Sequence, residues 1–432
     1  MDRRHRNQLL LVGVLIGLTV LGLIVLWPDA GRLPEADPPE DLVGGRVLSV
    51  ELFEQEPDPS FGMSGEMVRL VVELTDGADR GETVTIEAPV EGYPEFETGD
   101  TVQLATSEIQ GEVQFFVVDF DRTGALVGLG LLFVIAVVAI SRWKGVRALI
   151  GLGLSLLVVT EFIIPGIVTG ESPAFVALVG AMAVMLLTLY LAHGVNEMTT
   201  AAVLGTTAAL TVTIVLANLF IDLGKLTGFA SEEANLARFA VEGLDLKGLV
   251  LAGLIIAALG VLDDVTVTQA STVFALHDAN PSQGWGELFR RAMTVGRDHI
   301  ASTVNTLFLA YAGASLALLV LFATGGLTTG EIVNTEVLAE EVIKTVVGSL
   351  GLISAVPFTT ALATTTALRR PRTAIGASGA HLHAGPHVSH PVLDDRPDEE
   401  LDDEERAYRS WVRFLREGPA SGRPERPPDD GP

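Results

Sequence analysis

Long apolar runs, separated by charged blocks, constrain this chain more than any other feature. A helix needs about 20 apolar residues to cross the roughly 30 Å hydrocarbon core of a bilayer. Within lipid such runs must be helical, because no water is available to satisfy exposed backbone groups. We therefore predict an α-helical polytopic membrane protein with about eight transmembrane helices. The segments are Leu9–Trp27, Thr123–Ser141, Val146–Pro165, Pro173–Leu191, Thr199–Leu223, Lys247–Asp264, Ile300–Thr324 and Val342–Leu368.

The charge composition agrees with this division into blocks. Only 19% of the 432 residues are charged, yet the formal net charge is −26. Soluble domains have about 25% charged residues. The composition therefore excludes an ordinary soluble enzyme and a nucleic-acid-binding protein with a basic face. The chain has no cysteine, which excludes disulfides and cysteine metal sites.

Lysine and arginine residues near the ends of the apolar segments predict the orientation, because cytoplasmic links are enriched in them. Both termini are expected in the cytoplasm of a bacterial plasma membrane, with residues 28–122 outside. The first segment has no clear cleavage site, so an uncleaved anchor is favoured over a signal peptide. The four basic clusters are Arg3, Arg4 and Arg6; Arg142, Lys144 and Arg147; Arg290, Arg291 and Arg297; and Arg369, Arg370 and Arg372.

The apolar and polar blocks divide the chain into four parts. Residues 1–27 form an N-terminal anchor, and residues 123–372 form a seven-helix membrane domain. Residues 373–432 are rich in proline, glycine and acidic residues, which predicts a disordered cytoplasmic tail.

The acidic block at residues 28–122 carries runs rich in valine and threonine, separated by turn residues. Five short strands predict a small extracytoplasmic all-β domain of OB-like size. The predicted strands are Gly45–Leu52, Glu66–Leu74, Glu82–Pro89, Asp100–Ser107 and Glu112–Phe120.

Two adjacent acids, Asp263 and Asp264, interrupt the sixth apolar run. Ionisable residues inside membrane segments are costly and mark functional sites by default. Thr268 follows Asp264 by one helical turn, on the same face. The alternative is that the acids cap a helix end at the cytoplasmic interface and pair with neighbouring arginines.

The next span carries a second polar stripe, formed by Asp298, Ser302 and Asn305 at helical spacing. It is expected at a depth similar to that of the acid pair. We predict that this stripe and Gln269 supply polar ligands around an ion or substrate path, with Arg297 as a counter-charge.

Two runs, LGVLDDVTVTQAS at Leu259–Ser271 and VGRDHIASTVNTLFLAYAG at Val295–Gly313, resemble signature segments of the YibE/F-like membrane proteins. The resemblance extends over residues 44–368. It implies a multi-pass, transporter-like protein and favours Asp264 over Asp263 as the essential acid.

We therefore expect a protein that passes a small solute or ion, with no enzyme activity, no cofactor and no metal site. Its expected partners are the lipid bilayer and that unidentified solute, with no nucleic acid, and a homo-oligomer is left open. One alternative is a non-enzymatic scaffold or sensor that uses its extracytoplasmic β domain. A less favoured alternative is an intramembrane aspartyl hydrolase built from Asp264 and Asp298, since such enzymes need two facing acids.

Overall fold

The computed structural model describes the anchor, the β domain and the membrane helices. Its residues are 3–29, 31, 42–54, 66–77, 79–90, 94–109, 112–326 and 328–369. The predicted disordered tail at residues 373–432 lies outside the described residues.

Eleven α-helices are present in the described part of the chain. They are α1 Arg3–Val25, α2 Thr123–Val158, α3 Ile164–Val168, α4 Pro173–His193, α5 Glu197–Leu223, α6 Glu232–Ala240, α7 Leu246–Ala279, α8 Trp285–Ala314, α9 Leu316–Thr324, α10 Thr329–Val333 and α11 Glu336–Ala367.

Local sequence signals begin several of these helices. The Asn196 side chain accepts a hydrogen bond from the backbone N–H of Thr199 and begins α5. Asp245 does the same for α7 through the N–H of Gly248, at 2.9 Å. Such caps satisfy backbone donors that have no partner within the helix.

The helix α2 breaks at Arg142, where φ is 51° and ψ is −131°. A Cβ placed on Gly145 would lie only 2.5 Å from the carbonyl oxygen of Val137. In a straight helix these two residues would be about 12 Å apart along the axis. The chain therefore turns back at Arg142, and α2 has a first arm before this residue and a second arm after it.

The second arm of α2 continues through a π-helical turn, Val159–Ile163, into the short α3. Among the described residues, five helices are long and apolar enough to cross a membrane. They are α2 together with α3, then α4, α5, α7 and α11. The pair α8 and α9, bent by 61°, makes a sixth, while the apolar part of α1 is shorter, at Leu10–Val25. The chain is thus a multi-pass helical membrane protein.

The strands between α1 and α2 form one antiparallel sheet. They are β1 Val43–Glu54, β2 Glu66–Leu74, β3 Thr83–Pro89, β4 Thr101–Ile109 and β5 Glu112–Phe120. The strand order is β3-β2-β1-β4-β5. The prediction of five strands in this region is confirmed, with most boundaries within about two residues.

The sheet has its own apolar core, in which Leu70, Val72, Val102 and Leu104 are fully buried. The helices share a separate and larger core between α4, α5, α7 and α11.

Candidate functional site

The acid pair, Asp263 and Asp264, lies in the middle of the continuous helix α7. The helix runs for 34 residues without a break. It continues to Ala279, well beyond the acids. The alternative that the acids cap a helix end is therefore wrong.

The two carboxyl groups have different surroundings. Asp263 is half-buried, and its Oδ1 atom is shielded from solvent and has no hydrogen-bond partner in the described part of the chain. Its polar neighbours are the hydroxyl groups of Thr188 on α4 and Thr206 on α5. Asp264 is exposed. Adjacent helical residues point about 100° apart, so one acid faces the bundle and the other faces an opening.

A cavity of about 570 Å³ lies between the second arm of α2, α4 and α7. This volume is within the range of small-molecule sites in proteins. Most of the lining is apolar. Its polar or titratable members are Arg147, Ser155, Thr188, His193, Asp263, Asp264 and Thr268.

Contacts along the three helices define the height of each group in the cavity. On α2 and α4, Gly151 lies beside Thr188. On α4 and α7, Pro173 lies beside Gly248, and Thr188 is near Asp263. Thr188 follows Pro173 by 15 residues on α4, and Asp263 follows Gly248 by 15 residues on α7. The two helices therefore run parallel.

The cavity consequently has a polar half and an apolar half. Arg147, His193 and Thr268 share one end, and the acid pair lies at mid-height. The opposite end is walled by apolar side chains, including Ile163 and Ile256.

An apolar cluster adjoins that apolar end. Phe162, Ile163 and Val176 are buried together there. The ring of Trp27, just after α1, lies 6.0 Å from the ring of Phe162. The first helix therefore packs against the π-helical turn beside the cavity.

Of the predicted site residues, three line the cavity: Asp263, Asp264 and Thr268. Gln269 does not. It is buried on the other side of α7, where its amide donates to the Ala292 carbonyl at 3.0 Å and to the Thr360 hydroxyl at 2.7 Å. It joins α7 to α8 and α11.

The structure does not bring the α8 stripe into the cavity. Gln269 follows Asp263 by six residues, about 240° further around the helix. Because α8 packs on the Gln269 side, it lies roughly opposite the cavity. Among the described residues, no hydrogen bond or ion pair joins the stripe to the acid pair. The predicted path residues on α8 are all exposed: Arg297, Asp298, Ser302 and Asn305.

Other predicted partners of the acids are engaged elsewhere. Arg291 pairs with Glu287 at 2.9 Å, and Arg290 donates to the Gly286 carbonyl at 3.2 Å. Asp264 lines the cavity and Asp298 does not, so the cavity does not contain the two facing acids that an aspartyl hydrolase needs.

Four polar residues line the cavity but were not predicted from the sequence to do so: Arg147, Ser155, Thr188 and His193. They come from α2 and α4, at least 70 residues before the acid pair in sequence. Within the described part of the chain, no group of three or more histidine, aspartate or glutamate side chains is placed to hold a metal ion.

Comparison with known proteins identifies the membrane region. No curated protein and no solved structure matches the chain. A family model described as YibE/F-like protein matches residues 129–369, which include the cavity and exclude the β domain. This match covers more than half of the chain, and the chain therefore belongs to the YibE/F-like family.

Proposed function

We propose that the protein passes a small solute or ion across the membrane through the cavity that contains the acid pair. The observation that carries this proposal is the single cavity shared by Asp263, Asp264 and Thr268. The Oδ1 atom of Asp263 is shielded from solvent and has no hydrogen-bond partner among the residues that the structure describes. Buried polar atoms normally have partners, so a proton, a cation or a polar group of a solute completes this site.

The two acids take different roles in this proposal. Asp264 is the accessible acid and contacts the solute or ion that passes. Asp263 is the shielded acid, and it modifies the electrostatic surroundings of Asp264. The hydroxyl of Thr268 extends the polar wall toward Arg147 and His193.

Flux through reconstituted protein tests the proposal. Purified protein in liposomes is given a proton gradient or a sodium gradient, each read by an entrapped dye. We expect Asp263→Asn and Asp264→Asn to reduce flux at least about tenfold, because each removes an ionisable group that no other residue replaces. Glu161→Gln is the matched control, since this exposed acid lies on the π-helical turn but does not line the cavity.

Wild-type flux in both acid variants, with the protein folded and inserted, would contradict the proposal. So would an equal loss in the Glu161→Gln control.

The same proposal includes the finer architecture. Counting α1 and both arms of α2 separately gives eight spans, and an even number keeps both termini on the same side. The basic clusters favour the cytoplasmic side of a bacterial plasma membrane. We also propose an OB-like barrel for the β domain. Its support is the strand order β3-β2-β1-β4-β5 and the approach of the outer strands β3 and β5 to each other.

A second candidate function is a scaffold or sensor that uses the β domain. It is favoured by one observation: the family match begins at residue 129, after this domain. Deleting residues 41–119 separates the two functions. Flux that survives the deletion supports transport by the membrane helices alone, whereas a cellular phenotype that follows the deletion supports the scaffold or sensor.

A further inference from the structure

The helix α8 has a polar face that the described part of the protein does not cover. Leu288, Ala292 and Gly296 are buried on its inner side. Four polar residues on the other side are exposed, and we call them the α8 polar face: Arg297, Asp298, Ser302 and Asn305. Among the described residues, neither Arg297 nor Asp298 has an ion-pair partner.

The span that contains this face is formed by α8 together with α9. The 30 residues of α8 extend for about 45 Å, whereas the hydrocarbon core is about 30 Å thick and needs about 20 residues. The apolar run of this span begins at Ile300, so the N-terminal part of α8 extends beyond the core. Ser302 and Asn305 therefore lie within the core, and Arg297 and Asp298 lie at its edge, less than one helical turn before Ile300.

Lipid acyl chains can cover an exposed apolar helix, but they do not satisfy the charged and polar groups of the α8 polar face. The first arm of α2 shows the contrast, because it is also largely unpacked, with Leu132 and Ile135 each 63% exposed. Its exposed side chains are apolar, so acyl chains satisfy them. Charged and amide groups on a lipid-facing helix are unfavourable and usually face protein or water.

We propose that the α8 polar face is a two-fold interface between two copies of this chain. In a parallel two-fold pair, residues at the same depth face each other. Arg297 of one copy then meets Asp298 of the other, and the pairing occurs twice. The face is thus complementary in charge to itself.

The uncharged part of the face also suits such a contact. Ser302 and the neighbouring Ala301 are small and exposed, and small residues let membrane helices approach closely. Asn305 forms hydrogen bonds with its own counterpart across the axis, as amide side chains do between membrane helices.

Single-cysteine cross-linking in native membranes tests the interface directly, because the natural chain contains no cysteine. Asn305→Cys places a thiol on the polar face. The matched control is Val304→Cys, since Val304 is adjacent and packs inward against the helix core. A disulfide needs Cα atoms within about 7 Å, so we expect at least about fivefold more covalent dimer from Asn305→Cys.

Charge exchange then tests the pairing. In the Asn305→Cys background, Arg297→Asp or Asp298→Arg alone should reduce the dimer severalfold, because like charges then face each other. The combination of both substitutions should restore it. Restoration also shows that the single variants were not simply misfolded.

Equal cross-linking at positions 304 and 305, or no dimer at position 305 in protein that is folded and inserted, would overturn the interface. Such a result would instead indicate that lipid or the C-terminal tail covers the face. The test requires no flux measurement, and its outcome is independent of the proposed function.

Discussion

Single side chains at the junction between the β domain and the membrane have a defined electrostatic role. Arg122 donates from Nη1 to Asp119 Oδ2 at 2.7 Å. This bond, with a second from the backbone N–H of Phe120, lowers the pKa of the Asp119 carboxyl below its ordinary value. A lowered pKa in the folded state contributes stability above the ordinary pKa, and the contribution is lost as the pH falls through the lowered one.

Removing this arginine should therefore change the titration of Asp119. We expect Arg122→Gln to raise the pKa of the Asp119 carboxyl toward its ordinary value, as measured by carbon-13 NMR of labelled protein in detergent. Arg80→Gln serves as the control, because Arg80 lies in the exposed turn before β3. An unchanged Asp119 titration in Arg122→Gln would show that the ion pair does not form.

At the residue scale, the sequence predicted the acid pair but only part of its surroundings. Two adjacent acids in an apolar run are visible without a structure, since their desolvation is unfavourable wherever they lie. Thr188 and Ser155 were not predictable, because threonine and serine are ordinary residues of membrane helices. Their role depends on α2 and α4 meeting α7, which periodicity does not encode.

The helices α5 and α11 pack closely because each places a glycine against a threonine side chain of the other. A Cβ on Gly205 of α5 would overlap the hydroxyl of Thr359 on α11, and a Cβ on Gly351 of α11 would overlap that of Thr213 on α5. In both helices the glycine precedes the threonine by eight residues. The two antiparallel helices therefore meet at two reciprocal contacts.

This packing predicts that alanine substitution lowers the free energy of unfolding at one helical glycine and not at another. Gly205→Ala should lower the free energy of unfolding by about 1–3 kcal/mol, as overpacking of a tight core does. Gly253→Ala is the matched control, because a Cβ at that helical position meets nothing within 4 Å. Thermal unfolding in detergent measures both variants, and equal effects would contradict the interlocked packing.

At the element scale, strands were easier to predict than helix neighbours. Runs rich in valine and threonine, separated by turn residues, identified all five strands, including β2 and β5 with both boundaries correct. The bend between α8 and α9 at Ser315 was not predicted, because no proline marks it. The stripe on α8 was recognised correctly as a polar face, but helical periodicity gives the face and not the neighbour that it meets.

Over the whole molecule, the distribution of basic residues predicts which ends face the cytoplasm. Asp79 lies in an exposed turn of the β domain, and Val195, 84% exposed, lies in the link between α4 and α5. We expect Asp79→Cys to react with a membrane-impermeant maleimide in intact cells. Val195→Cys should react only after permeabilisation, since its link is expected inside.

Reversed labelling of the two positions would contradict the orientation. The sequence was informative at this scale because hydrophobicity and charge are properties of long segments. The sequence was less informative about the number of spans. The helix α2 reverses direction at Arg142 and can be counted as one span or two, and the apolar part of α1 is short.

The reciprocal contacts between α5 and α11 have a mechanical consequence. Because the two helices contact each other at two separate positions, they resist both translation and rotation relative to each other. We therefore expect α5 and α11 to move as one rigid unit. Under the proposed function, a rearrangement that opens the cavity would then involve the helices that line it, the second arm of α2 and α4 among them. The second arm of α2 leads into the π-helical turn, which the ring of Trp27 contacts, so that rearrangement would also change the contact with the residue that follows α1.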